Sequence, residues 1–231
     1  MTLQPDVAIL CPRPELAAAI ARELDGARRE NWAPFHAWRG AHTVDAPSTP
    51  RELFILVCPE GPRATVPAAL QLLTVFPGRP ILQLDLCRAC DPTLARGQIL
   101  LCASATAFKK EELYLLHDAP TPLPSLPAVS PSIGPSLPGP PGGAVWAAFG
   151  SCDAIVDFPV QRKWLREKYR FDAFDTISHA TGDVIRANGG RWLAAAVVAG
   201  PAGETAEPFQ ATEWRTAAQG LLAVLSTTTF A

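Results

Sequence analysis

The chain has 231 residues, 48% of them hydrophobic and 18% charged, which excludes an intrinsically disordered protein and fits one large core-rich domain. A formal net charge of -2 offers no basic surface to a polyanion, so nucleic acid is not an expected partner. No apolar run approaches the ~20 residues of a membrane span, the N-terminus lacks a signal-peptide pattern, and six cysteines do not make a disulfide scaffold at this length, so a soluble protein of the reducing cytoplasm is expected.

In chain order, residues 6–11 (DVAILC) predict a short buried strand. Pro12-Arg13-Pro14 turns it into a helix over 15–24, with Leu16, Ile20 and Leu24 on one face. Residues 27–52 are ambiguous, but Trp32, Phe35 and Trp38 alternate loosely with polar residues, as in an antiparallel ribbon. Residues 53–58 (LFILVC) read as a second buried strand. A helix over about 64–76 ends at Pro77-Gly78, residues 80–86 form a third strand, and 98–103 form a fourth after the turn at Asp91-Pro92. Residues 118–143 hold nine of the chain's 24 prolines. Proline has no backbone donor, so this stretch predicts a long extended loop, neither helix nor interior strand. The strand pattern resumes at 145–149, a helix spans about 159–169, and a last helix at about 211–225 carries Trp214, Leu221, Leu222 and Leu225.

Residues 173–200 are the organising stretch. They read as a helix, a stop at Asn188-Gly189-Gly190, and a continuous apolar run over 192–199 that fits a strand covered on both faces. Alternating buried strands and helices predict an α/β fold with three layers, α/β/α, around a central mixed sheet, as a single domain over 1–231. Chemistry in such folds sits where strands end and helices begin, which points to 176–179 and 199–201.

Few reactive side chains stand there. Asp175 and His179, four apart and so on one face of the predicted helix, offer an acid/base pair, with a solvated helix face as the plainer alternative. Cys11 and Cys58 end predicted strands, and Cys87 and Cys90 lie in the predicted loop after the third strand. With Cys152 they form a candidate thiolate set for a metal, or Cys87-x-x-Cys90 a redox pair; ordinary buried cysteines are the alternative, and no cofactor is expected on that reading.

Residues 81–102 (ILQLDLCRACDPTLARGQILLC) resemble a segment of the nucleoside phosphorylase and methylthioadenosine nucleosidase superfamily, through Asp91-Pro92-Thr93-Leu94, Gly97 and Ile99-Leu100-Leu101. Residues 150–200 align with the same superfamily without a gap, and residues 7–24 are similar to its first strand and helix. The resemblance implies a nucleoside phosphorylase-like fold, a purine nucleoside-like ligand, N-glycosidic bond cleavage as the family reaction, and a homo-oligomer. Trp32, Trp38 and Trp214 are the exposed-aromatic candidates for its interface.

The same resemblance implies that the usual catalytic residues are missing. Asp85 to Ala89, with Arg88 among them, stand where the family has a small-residue anion loop. Thr176-Ile177 replaces a Met-Glu pair that holds ribose, and Ala199-Gly200 replaces a Ser-Asp pair whose Asp protonates the leaving purine. Ala154, with Ile155 beside it, takes the place of the aromatic that stacks on the base. Glu15 lies near the position of the glutamate that activates water; its alternative role is a favourable charge at a helix N-terminus. Glu204 would serve as a substitute acid only if its loop folds back. Loss of a positioned general acid costs a factor of ~10²–10⁴ in rate. Ordinary catalysis is therefore expected to be lost or much reduced. The alternatives are a binding module for a ligand or for a protein partner reached through the proline-rich loop, and a cysteine-based metal or thiol protein.

Overall fold

The computed structural model describes residues 4–43, 50–108, 128–131, 143–153, 156, 158–204 and 207–228. Its elements run β1 (Val7–Cys11), α1 (Pro14–Arg22), β2 (Asp25–Trp32), β3 (Phe35–His42), β4 (Arg51–Val57), α2 (Pro62–Val75) and β5 (Ile81–Ala89). They continue with β6 (Ile99–Ala107), β7 (Val145–Ser151), α3 (Pro159–Tyr169), β8 (Ala173–Asp175), α4 (Ser178–Ala187), β9 (Trp192–Gly200) and α5 (Ala211–Thr227). Proline opens α1, α2 and α3, where its missing donor costs nothing and its φ suits the helix. A reciprocal capping box between Gln210 and Glu213 opens α5.

One mixed sheet runs β2-β3-β4-β1-β5-β8-β7-β6-β9, and β5 also pairs with β9, so the last five strands close into a ring. Strands β1, β4, β5 and β9 are mutually parallel, which requires cover on both faces. All five residues of β1 and all nine of β9 are accordingly buried. Helices α2 and α4 cover one face through Ala68, Ala69, Leu72 and Ile185. Helices α1 and α5 cover the other through Leu16, Ile20, Leu221 and Leu225. This is the three-layer α/β/α arrangement that the strand and helix alternation predicts. The fully buried Trp192 fixes the distance between α4 and the sheet: a Cβ on Gly182 would stand 2.7 Å from its ring.

Several expectations need correction. The third predicted strand does not stop at residue 86; β5 runs to Ala89 with a register shift between Cys87 and Arg88, so both are strand residues and the predicted loop is absent there. Residues 173–175 form a short strand rather than part of the helix, which starts at Ser178, within the 176–179 window read from the sequence. The three tryptophans offered as exposed are half-buried. Trp32 packs on Phe54 and Phe76 with ring centroids 4.6 and 5.6 Å away, Trp214 meets Phe209 at 5.0 Å, and Trp38 lies against the α1/α5 core. Each therefore buries part of its ring inside the molecule.

The proline-rich stretch 118–143 lies outside the described residues except 128–131 and 143. There Val129 makes a single antiparallel bridge to Ala105. Among the described residues no helix is long and apolar enough to cross a membrane.

Candidate functional site

A polar seam runs through the core where β5 meets β8, β9 and the starts of α2 and α4. Gln83 and Asp85 sit two apart in β5, so both point to one side of an otherwise apolar strand. Asp85 is buried. Arg13, held in the turn after β1 by prolines on either side, donates from Nε to Asp85 Oδ1 at 2.7 Å and from Nη1 to Glu60 at the start of α2. The Leu86 N–H gives Asp85 Oδ1 a second bond of 2.7 Å. Burial pushes the Asp85 carboxyl above its ordinary range, and the Arg13 guanidinium pulls it back.

The second acid, Asp175, ends β8. Its Oδ1 accepts from the N–H groups of Ile177 and Ser178 at 3.2 and 3.0 Å, satisfying donors at the start of α4, and Oδ2 accepts from the Ser178 hydroxyl. Gln83 Nε2 in turn donates to Ser178 Oγ at 2.8 Å. The Ser151 hydroxyl also bonds Asp175, and Ser151 Oγ receives the His179 N–H at 3.3 Å. Burial pushes Asp175 up to about 6; the Ser178 bond opposes this and the nearby charge of Asp85 adds to it.

The third wall is the end of β9. Gly200 pairs with Arg88, which also faces Phe174 of β8, so β5 carries both neighbours into one place. Two arginines strap the segment that follows. Arg96 donates to the carbonyls of Ala199, Glu207 and Pro208 and pairs with Glu213 at 2.6 Å. Arg162, fully buried, donates to the carbonyls of Pro201, Ala202 and Glu204.

The predicted site residues divide between this region and places apart from it. Asp85, Arg88, Asp175, Thr176, Ile177 and Gly200 lie along the joined ends of β5, β8 and β9. Ile177 is a buried apolar N-cap and Thr176 is half-buried beside it. Glu15 is exposed in the first turn of α1, where its charge suits the helix dipole. Glu204 is also exposed. Ala154 and Ile155 lie outside the described residues. The one-face pairing of Asp175 with His179 is not what forms, because Asp175 belongs to a strand and only His179 to the helix.

Sequence reasoning missed Arg13, Gln83, Ser151, Ser178 and Arg162. The alternation in Ile81-Leu82-Gln83-Leu84-Asp85-Leu86 was the signal for two polar groups on one buried face.

None of the six cysteines is in a disulfide, and all but Cys152 are buried. Burial pushes Cys58 and Cys90 up to about 12 and raises Cys11, Cys87 and Cys102 as well. Cys87 faces the core from within β5, so it is not a loop partner for Cys90. Among the described residues no group of three or more His, Cys, Asp or Glu is placed to hold a metal ion. With a disulfide-exchange reagent at about pH 8, only Cys152 is expected to react quickly in the native state, the five buried thiols following on unfolding. Fast native labelling of two or more thiols contradicts this arrangement.

No family model and no curated protein matches the chain by sequence. Solved structures do resemble it. The 5'-methylthioadenosine/S-adenosylhomocysteine nucleosidase of Helicobacter pylori, with butyl-thio-DADMe-Immucillin-A, superposes with a TM-score of 0.74 at 13% identity, over 97% of this chain and 99% of that one. The Campylobacter jejuni 5'-methylthioadenosine/S-adenosyl homocysteine nucleosidase gives 0.71 at 14%, over 96% and 99%. The futalosine hydrolase of Helicobacter pylori gives 0.72 at 12%, over 95% and 96%. With its closed five-strand ring and three layers, the chain has the fold of the nucleoside phosphorylase and nucleosidase superfamily.

Proposed function

We propose that this protein binds a purine nucleoside-like ligand at the joined ends of β5, β8 and β9, and that ordinary N-glycosidic cleavage there is lost or much reduced. The observation that carries the reading is the Arg13–Asp85 pair. It fills with mutually neutralised charge the place where the resemblance implies bare backbone donors for an anion. At the ends of these strands Ile177 and Gly200 have no side-chain acceptor for ribose hydroxyls and no side-chain acid for a departing base. The ligand class is taken from the nucleosidases of the same fold, named for 5'-methylthioadenosine and S-adenosylhomocysteine, one of them solved with butyl-thio-DADMe-Immucillin-A.

The test is to incubate the protein with methylthioadenosine, S-adenosylhomocysteine, inosine and adenosine, with and without phosphate, measuring free base by chromatography and binding by calorimetry. Binding without base release is the expected result. Rapid base release overturns the loss of catalysis, and absence of binding to all four overturns the ligand class. A second reading, an enzyme with a relocated acid, rests on Asp175, which is buried and hydrogen-bonded near the same strand ends. Slow base release that Asp175→Asn abolishes would favour it.

A further inference from the structure

Beyond the polar seam, a cleft of about 490 Å³ opens between the start of α3, the turn after β5 and the loop after β9. That volume suits a small organic ligand. Its walls are apolar, built by Cys90, Pro92, Pro159, Val160, Ala202 and Gly203, and it contains no residue of the Arg13–Asp85 and Asp175 clusters. Among the described residues four large apolar side chains are exposed, and two of them, Phe158 (67%) and Val160 (63%), flank Pro159 in the chain, Val160 lining the cleft itself. Apolar surface gathered in this way marks a binding place more often than scattered exposure does.

The charges on the rim select the partner. Arg166 is taken up by the carboxylates of Asp91, at 2.5 Å, and Asp172. Lys163 is different: its ammonium stands 3.9 Å from Glu167, beyond a direct hydrogen bond, and the two side chains are 76% and 65% exposed. An exposed pair at that distance holds its members weakly, so the ammonium is available to an acceptor seated in the cleft. Among the residues that line the cleft, the cations Lys163 and Arg166 stand against the single carboxylate of Glu167.

We propose that this cleft binds a small amphiphilic organic anion, its apolar body against Pro92, Pro159, Val160 and Ala202 and its anionic group on Lys163.

The probe is 8-anilinonaphthalene-1-sulfonate, an apolar aromatic body with one anionic group, followed by its fluorescence on the native protein. N-phenyl-1-naphthylamine supplies the same body without the charge. Saturable one-to-one binding of the sulfonate is expected. Lys163→Glu should weaken it about tenfold, the scale of one charge-assisted contact, while changing the amine less than about twofold. Val160→Asp should weaken both. Both positions are exposed, and an unchanged circular dichroism spectrum and melting temperature confirm that the variants fold. The proposal is overturned if the sulfonate does not saturate, or if Lys163→Glu leaves its affinity unchanged. It is also overturned if the native protein self-associates and Val160→Asp abolishes that, which would give the patch to a second copy.

Discussion

Arg13→Ala is expected to lower the free energy of unfolding by about 3–5 kcal/mol, the range for removing one partner of a buried ion pair. Asp85 is only 1% exposed while Arg13 is 21% exposed, so the substitution strands the carboxylate and leaves water poorly placed to replace the guanidinium. Of the Asp85 contacts described above, only the bond from the Leu86 N–H survives. For a chain of this length each kcal/mol corresponds to about 2–4 °C, so the melting temperature should fall by about 6–20 °C. The double variant Arg13→Met, Asp85→Leu removes both charges together and should recover most of the loss, because the cost lies in the unpaired charge rather than in the absence of the pair. Denaturant midpoints of the two variants decide the matter. A loss below about 1 kcal/mol for Arg13→Ala would mean that Asp85 is already neutral or hydrated in the folded state.

Asp175→Asn is expected to act in the opposite direction and to depend on pH. Folding raises this carboxyl from its ordinary value of 3.8 to about 6, burial being the main cause. A raised carboxylate pKa means that the folded state binds the proton more tightly than the unfolded chain does. The group's contribution is therefore most favourable below about pH 4, declines as pH rises through the window from about 4 to 6, and is constant above it. A shift of about two units corresponds to about 3 kcal/mol. Asparagine is neutral throughout and keeps an oxygen for the N–H groups of Ile177 and Ser178. The variant should therefore be more stable than the parent by up to about 3 kcal/mol at about pH 7.5, with the advantage vanishing near about pH 4. Urea unfolding of both proteins across that range tests this. A variant less stable than the parent at about pH 7.5 would show that the Ser151 and Ser178 hydroxyls outweigh burial and hold the anion.

Much of the architecture could be read from residue patterns. Runs such as Val-Ala-Ile-Leu-Cys and Trp192 to Ala199 are long, apolar and bounded by turn residues, so burial on both faces follows from composition alone. The ribbon of β2 and β3 was visible through its alternating aromatics. What escaped was short or mixed in character. Strand β8 has three residues, too few for any periodicity, and the end of β5 contains Cys87 and Arg88, whose strand conformation is imposed by β9 and β8 on either side.

The candidate site was less legible because its main contacts are distant in sequence. Asp85 stands out in an apolar strand, but its partner Arg13 lies 72 residues away and nothing local in the sequence joins them. Asp175 was noticed for a helix spacing that does not form. Its actual partners, Ser178 and Ser151, are common residue types whose hydroxyls become significant only once burial removes water. The tryptophans illustrate the same limit: large aromatic residues read as surface candidates until tertiary packing supplies the rings that cover them.

The closure of β5 onto β9 also sets a condition on how the chain reaches its native state. Residues 81–89 belong to the first half of the chain, and their partner at 192–200 is near its end. During synthesis the edge of β5 destined for β9 waits open while more than a hundred further residues are made. Pairing at that sequence separation is slow, because the loop must close before the contact is formed. An apolar strand edge left waiting is a template for other chains. Chains that end before residue 192 are thus expected to accumulate in aggregates, whatever the integrity of the β1–β4–β5 core that precedes the break.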